Sequence, residues 1–194
     1  MVNEELNKII EQQRSSGFKA DDDRIHIETR NARNVLMRGL VHFCGEETQW
    51  LPEYEEVAEW LADNKSRGLL CYGNCGRGKS LICQKILPII FQNWHGLIMN
   101  VVSMAEISNK FSSISDKKII SLDDVGTESI ANQYGEKHDY FRELVDLAER
   151  KQKLLVITTN LSLSEIKERY GERTIDRLHS LTTTILFKGD SLRK

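Results

Sequence analysis

The sequence predicts an α/β fold: a mostly parallel five-stranded sheet covered by helices on both faces. Two observations carry the expectation. Five short apolar runs recur from residue 68 onward: GLLCYG (68–73), LIMNVV (97–102), KIISLD (118–123), LLVITT (154–159) and TTILF (183–187). Between them lie helix-like stretches near 79–94, 104–113 and 136–151, with a polar helical segment over 161–180. Continuous apolar strands alternating with amphipathic helices are the pattern of strands buried on both faces. Pro88 is expected to kink the first of these helices or end it early.

The residues before Gly68 read as helical. An amphipathic helix is expected in the first 17 residues, with Leu6, Ile9 and Ile10 on one side, broken by Gly17 and the run Asp21, Asp22, Asp23. A second helix is expected over about 29–43. A third, over 53–62, starts just after Pro52. The division expected is a short helical N-terminal extension over 1–50 and a single domain over 51–194.

Composition narrows the function classes. The chain of 194 residues is 40% hydrophobic and 29% charged, with a formal net charge of −2, so no global basic field advertises a nucleic acid. The apolar run over 86–91 is too short to span a bilayer and contains Pro88, so no membrane association is expected. The charged N-terminus MVNEELNKII lacks the apolar centre of a signal peptide. Cys44, Cys71, Cys75 and Cys83 show no CxxC spacing, which points to reduced thiols in a cytoplasmic protein and away from zinc.

The segment GLLCYG-NCGRGKS-LICQKIL reads strand, glycine loop, helix, and matches G-x-x-x-x-G-K-[ST]. Gly73 and Gly78 let the backbone turn tightly and approach phosphate oxygens. The amides from Asn74 to Ser80 form an anion-binding nest, and the helix N-terminus adds its dipole. Lys79 is expected to neutralise the β- and γ-phosphates of ATP, and Ser80 to ligate Mg²⁺ through its hydroxyl. The nucleotide-binding set is therefore Gly73, Asn74, Cys75, Gly76, Arg77, Gly78, Lys79, Ser80 and Leu81. Within it, Cys75 reads as a small residue in a crowded turn, and Arg77 as a decoration of the loop.

A phosphate loop binds nucleotide without hydrolysing it. The run KKIISLDDVG supplies two carboxylates at a strand end, 44 residues after Lys79. Asp123 is expected to hold the water shell of Mg²⁺, and Asp124 to polarise an attacking water. A solvated turn is the plainer alternative for this pair. Asn160, just past LLVITT, is placed to hydrogen-bond the γ-phosphate or the attacking water, because strand C-termini converge on the ligand crevice of such a sheet.

These motifs, with YGERTIDRL (170–178) and FKGDSLR (187–193), occur in an order that resembles the AAA+ ATPases. SLDDVGTE (121–128), ER at 149–150 and ITTNLS (157–162) are similar to the DnaC/DnaI-type helicase loaders and their IstB-type transposition relatives. The resemblance covers about residues 68 to 193. It implies a P-loop NTPase core with strand order 5-1-4-3-2, ATP-dependent self-assembly, single-stranded DNA binding and docking on a hexameric replicative helicase. By motif, Asn160 resembles the sensor-1 residue, Arg173 the arginine finger that reaches a neighbour's γ-phosphate, and Arg177 the second basic residue of that box. Glu172 and Asp176 lie beside these arginines, so a surface salt-bridge lattice is the plainer alternative.

The chain departs from the wider family in ending just after the fifth strand, so no C-terminal helical lid is expected, and Arg193 is expected to substitute in part for the usual lid arginine. The N-terminal 67 residues do not match a full helicase-binding domain. The DNA-facing candidates are Lys110, Phe111, Lys117 and Lys118. The function expected is that of a Mg²⁺-dependent ATPase of the helicase-loader type. The competing readings are an IstB-like transposition helper, a P-loop small-molecule kinase, and a nucleotide-gated binding module that barely turns over.

Overall fold

The computed structural model describes residues 24–128, 131–133 and 136–192, together with Lys8, Ile9 and Gln12. The rest of the N-terminal amphipathic stretch, Asp21 to Asp23 and Arg193 lie outside the described residues. Two helices precede the sheet: α1 (Ala32–Cys44) and α2 (Pro52–Ala62), the latter opened by its proline. The core strands are β1 (Gly68–Gly73), β2 (Asn100–Ser103), β3 (Ile119–Val125), β4 (Leu154–Thr159) and β5 (Thr182–Phe187).

All five strands pair in parallel, in the order β2-β3-β4-β1-β5, which is 5-1-4-3-2 read from the other edge. β1 lies between β4 and β5, with Leu70 opposite Ile157 on one side and Thr184 on the other. Alternate residues of β1 serve opposite faces. Leu69 and Cys71 join a core with Leu36, Val57, Trp60 and Phe91, whereas Leu70 joins one with Phe141, Leu144 and Leu178. The result is three layers, which explains why the strand sequences are apolar throughout rather than alternating.

Helix α1, expected in an extension, packs into the first of these cores through Ala32, Leu36 and Leu40. Between β1 and β2, helix α3 starts as Lys79–Leu81, widens into a π turn over Ile82–Ile86, and continues as Leu87–His95. Pro88 therefore does not end the helix. The Leu87 amide reaches back five residues to Ile82 O, and the widened turn absorbs the donor that Pro88 lacks.

After β2, a 3₁₀ turn (Met104–Glu106) leads into α4 (Ile107–Ile114). The stretch expected to be helical from 136 instead begins with a small antiparallel hairpin, Ala131–Gln133 against Glu136–His138. Helix α5 (Tyr140–Arg150) then starts at Asp139, whose side chain accepts from the Arg142 amide. The polar segment after β4 forms two helices, α6 (Leu163–Tyr170) and α7 (Glu172–Leu181), separated at Gly171 with φ 86°. A capping box between Ser162 and Glu165 opens α6.

Candidate nucleotide site

The loop between β1 and α3 is built on three left-handed glycines: Gly73 (φ 109°), Gly76 (φ 75°) and Gly78 (φ 91°). A side chain at Gly78 would meet the Tyr54 hydroxyl, so the loop needs glycine there for space as well as for conformation. Lys79 folds over the loop from the first turn of α3. Its ammonium donates to Gly73 O (2.8 Å), Asn74 O (2.7 Å) and Asn160 Oδ1 (2.9 Å). Burial lowers the Lys79 pKa from the ordinary lysine value, while Cys75 and the Asp124 carboxylate act in the opposite direction.

A cavity of about 360 Å³ opens over this loop. Cys75, Gly76, Gly78, Lys79, Ser80 and Leu81 line its floor, and Asp124 and Asn160 its side. Cys44, Tyr54 and Leu192 complete the wall from α1, α2 and the segment after β5. Strand ends far apart in sequence meet here because parallel strands all deliver their C-termini to one edge.

The two aspartates sit in a bulge at the end of β3, and of the pair Asp124 lines the cavity while Asp123 does not. Leu122 pairs with Ile157 and Val125 with Thr159, so Asp123 and Asp124 together oppose the single residue Thr158. Asp124 takes the left-handed conformation, φ 52°. In a regular strand, adjacent side chains point to opposite faces; the bulge re-aims one of them. Thr158, fully buried, joins both residues: its hydroxyl donates to Asp123 Oδ1 at 2.6 Å and accepts from the Asp124 amide at 3.0 Å. Sequence reasoning passed over Thr158, although it sits two residues before Asn160 in the same TTN motif.

Arg77 turns away from the cavity. Its Nε and Nη2 lie 2.8 and 2.6 Å from Glu53 Oε1, and both side chains are nearly buried. Its side chain is therefore not among those lining the cavity. The Tyr54 hydroxyl donates to Arg77 O at 3.0 Å; burial, then the Glu53 charge, push its pKa up to about 12, so it stays a donor at neutral pH. Glu53, Tyr54 and Leu192 are further residues of the site that local motif reading missed. The opposite charges of Glu53 and Arg77 were the one signal, and nothing in sequence marks them as neighbours.

No protein-family model matches the chain, and no curated protein does. Solved structures do. DnaI superposes with a TM-score of 0.53 at 17% identity, covering 85% of this chain and 86% of its own. The DnaC helicase loader gives 0.51 at 18%, covering 83% and 93%. AMPPCP-bound DnaA from Aquifex aeolicus gives 0.51 at 11%, covering 75% of this chain and 50% of its own. The chain has the fold of the DnaI and DnaC structures.

On this core, the two arginines of α7 part company. Arg177 is mostly buried and ion-paired to both Asp146 and Glu149 Oε2 of α5, the latter at 2.5 Å. These pairs fasten α7 to α5 within the chain. Arg173 is exposed, lies outside the nucleotide cavity, and lines a shallow surface depression with Ser164, Lys167 and Asp176. Of the DNA-facing candidates, Lys110 pairs with Glu106 at 2.6 Å, Phe111 packs on the Tyr140 ring at 5.0 Å, and Lys118 reaches Lys151 O at 3.3 Å. Lys117 is exposed. No described helix is long and apolar enough to cross a membrane.

Proposed function

We propose that this AAA+ chain is a Mg²⁺-dependent ATPase acting as a helicase loader, coupling ATP to self-assembly and to contacts with single-stranded DNA and a hexameric replicative helicase. One observation carries the reading: Lys79, Asp124 and Asn160, from three separate strand ends, line one cavity over the glycine loop. Such a floor offers convergent backbone amides, one cation and one carboxylate, which suits a triphosphate and its attacking water.

The donor set fits Mg²⁺. Among the described residues no cluster of three or more His, Cys, Asp or Glu stands ready to cage a metal. Mg²⁺ needs no such cage, because it is held by one or two protein oxygens, waters and substrate phosphates. Ser80 and Asp123 would hold it, and when bound it neutralises charge on the phosphate oxygens. Asp123 is kept in place by Thr158. Asp124 orients and polarises the attacking water. Lys79 and Asn160 exchange their mutual contact for contacts to the γ-phosphate. Arg173 acts across a subunit boundary, where a guanidinium supplied in trans ties hydrolysis to assembly.

The test is co-purification of the chain with candidate replicative helicases, with and without ATP, beside ATPase assays with and without single-stranded DNA. ATP-dependent capture of a helicase supports the loader reading. ATP hydrolysis with capture of a transposase instead moves the chain to the IstB-like role. Phosphate transfer to a small-molecule acceptor overturns both.

A further inference from the structure

We infer that Tyr54, the Glu53–Arg77 pair and the segment over 189–192 form a strap that positions the phosphate loop by pinning two of its carbonyls. The inference rests on the nucleotide-site reading and assigns to these residues a role that the loop motif does not contain.

A trans peptide is planar, with its C=O and the following N–H pointing in opposite directions. Fixing a carbonyl on one side therefore aims the next amide to the other. Leu192 N donates to Gly76 O at 3.0 Å, on the tail side of the loop. That bond turns the Arg77 amide the opposite way. The Tyr54 hydroxyl donates to Arg77 O at 3.0 Å, and turns the Gly78 amide in the same fashion. The peptides pinned in this way are those joining Gly76, Arg77 and Gly78, and both glycines line the cavity.

The strap is itself fastened. Asn74 Nδ2 donates to Gly189 O at 2.8 Å, and Arg77 Nη1 to Asp190 O at 3.3 Å. Ser191 packs against Gly76 so closely that a Cβ there would collide with its hydroxyl. Glu53 holds the Arg77 guanidinium through two of its nitrogens. A buried ion pair is weak evidence for stability, because desolvation offsets the attraction, so its geometric consequence is the better account of its presence. Here that consequence is a loop whose amides are oriented before any anion arrives, which lowers the ordering cost of binding.

Tripolyphosphate and ATP are the two probes. Wild type, Tyr54→Phe, Glu53→Gln and a chain stopped after Lys188 are compared by calorimetry and by thermal melting. Losing one pinning bond is expected to weaken both probes by the same factor, about 5- to 10-fold. In Tyr54→Phe the melting temperature should stay close to that of wild type. If Tyr54→Phe weakens ATP but leaves tripolyphosphate unchanged, the tyrosine contacts the base or ribose and the strap is overturned. If the variants melt earlier while the folded fraction keeps its affinity, the contacts are merely structural and the strap is again overturned. Should Glu53→Gln fail to fold, Tyr54→Phe decides. A wild-type chain that binds neither probe removes the nucleotide-site reading itself, a failure distinct from the others.

Discussion

The Lys79 ammonium lies 2.9 Å from Asn160 Oδ1, joining the glycine loop after β1 to the residue after β4. The contact brings together two residues 81 positions apart. It also places the cation of the site beside the amide expected to sense the γ-phosphate.

Lys79→Ala should abolish nucleotide binding. Among the described residues the lysine supplies the one ammonium lining the cavity, and its loss leaves Gly73 O and Asn74 O without their donor. Titration with a fluorescent ATP analogue measures this; affinity within a few-fold of wild type would refute the role given to the loop.

Asp124→Asn should keep ATP binding and lose hydrolysis by about 100-fold or more, the range of a removed general base. Asparagine suits the test because it tolerates the left-handed backbone at this position, φ 52°, better than alanine does. Steady-state phosphate release is the readout, and an unchanged rate would exclude Asp124 as the group that activates water.

Arg173 and Arg177 should separate in one experiment. Mixing Arg173→Ala with Lys79→Ala protein should restore part of the ATPase activity, because one subunit supplies the site and the other the guanidinium. Arg177→Ala should lower stability by about 1–2 kcal/mol, read from the denaturant midpoint, since it removes both ion pairs to α5. Absence of rescue at every mixing ratio would argue against action in trans.

Thr158→Val should cost roughly 1–3 kcal/mol, because it leaves the Asp123 carboxylate and the Asp124 amide without their shared partner. Hydrolysis should fall further than ATP affinity, since the bulge aims the carboxylates rather than the loop. Equal losses in both would place Thr158 outside the aspartates' positioning.

Tyr54 predicts an alkaline signature. Its folded-state pKa is raised to about 12 from the ordinary 10, so the fold favours the protonated phenol. That contribution is complete below pH 10 and is lost as pH rises toward 12, a change on the order of 2–3 kcal/mol. Unfolding free energy should therefore fall more steeply over this window in wild type than in Tyr54→Phe. Parallel slopes would show that the phenol is not buried as described.

Much of this molecule is written locally. Glycine spacing, the Lys-Ser pair and the apolar runs specify a phosphate loop between a strand and a helix, because backbone conformation and burial act over a few residues. The strand count and the parallel sheet follow from the same periodicity. The antiparallel pairing of 131–133 with 136–138 escaped because two three-residue strands leave too short a period to read. The π turn before Pro88 escaped because proline forbids one hydrogen bond without saying how the helix accommodates its loss.

What the sequence by itself determined is the chemistry available: one lysine, two adjacent aspartates, an asparagine and a pair of arginines at strand or helix ends. Only the tertiary structure decided their employment. Asp124 lines the cavity and Asp123 is held by Thr158, because a bulge sets both aspartates opposite that one residue. Arg77 turns away from the cavity because Glu53, 24 residues earlier, waits on α2. Arg177 is taken by α5, and Arg173 is left at the surface. The physical reason is the same throughout: a charged side chain goes where its desolvation costs least, and that place is set by packing across the sheet, not by neighbours along the chain.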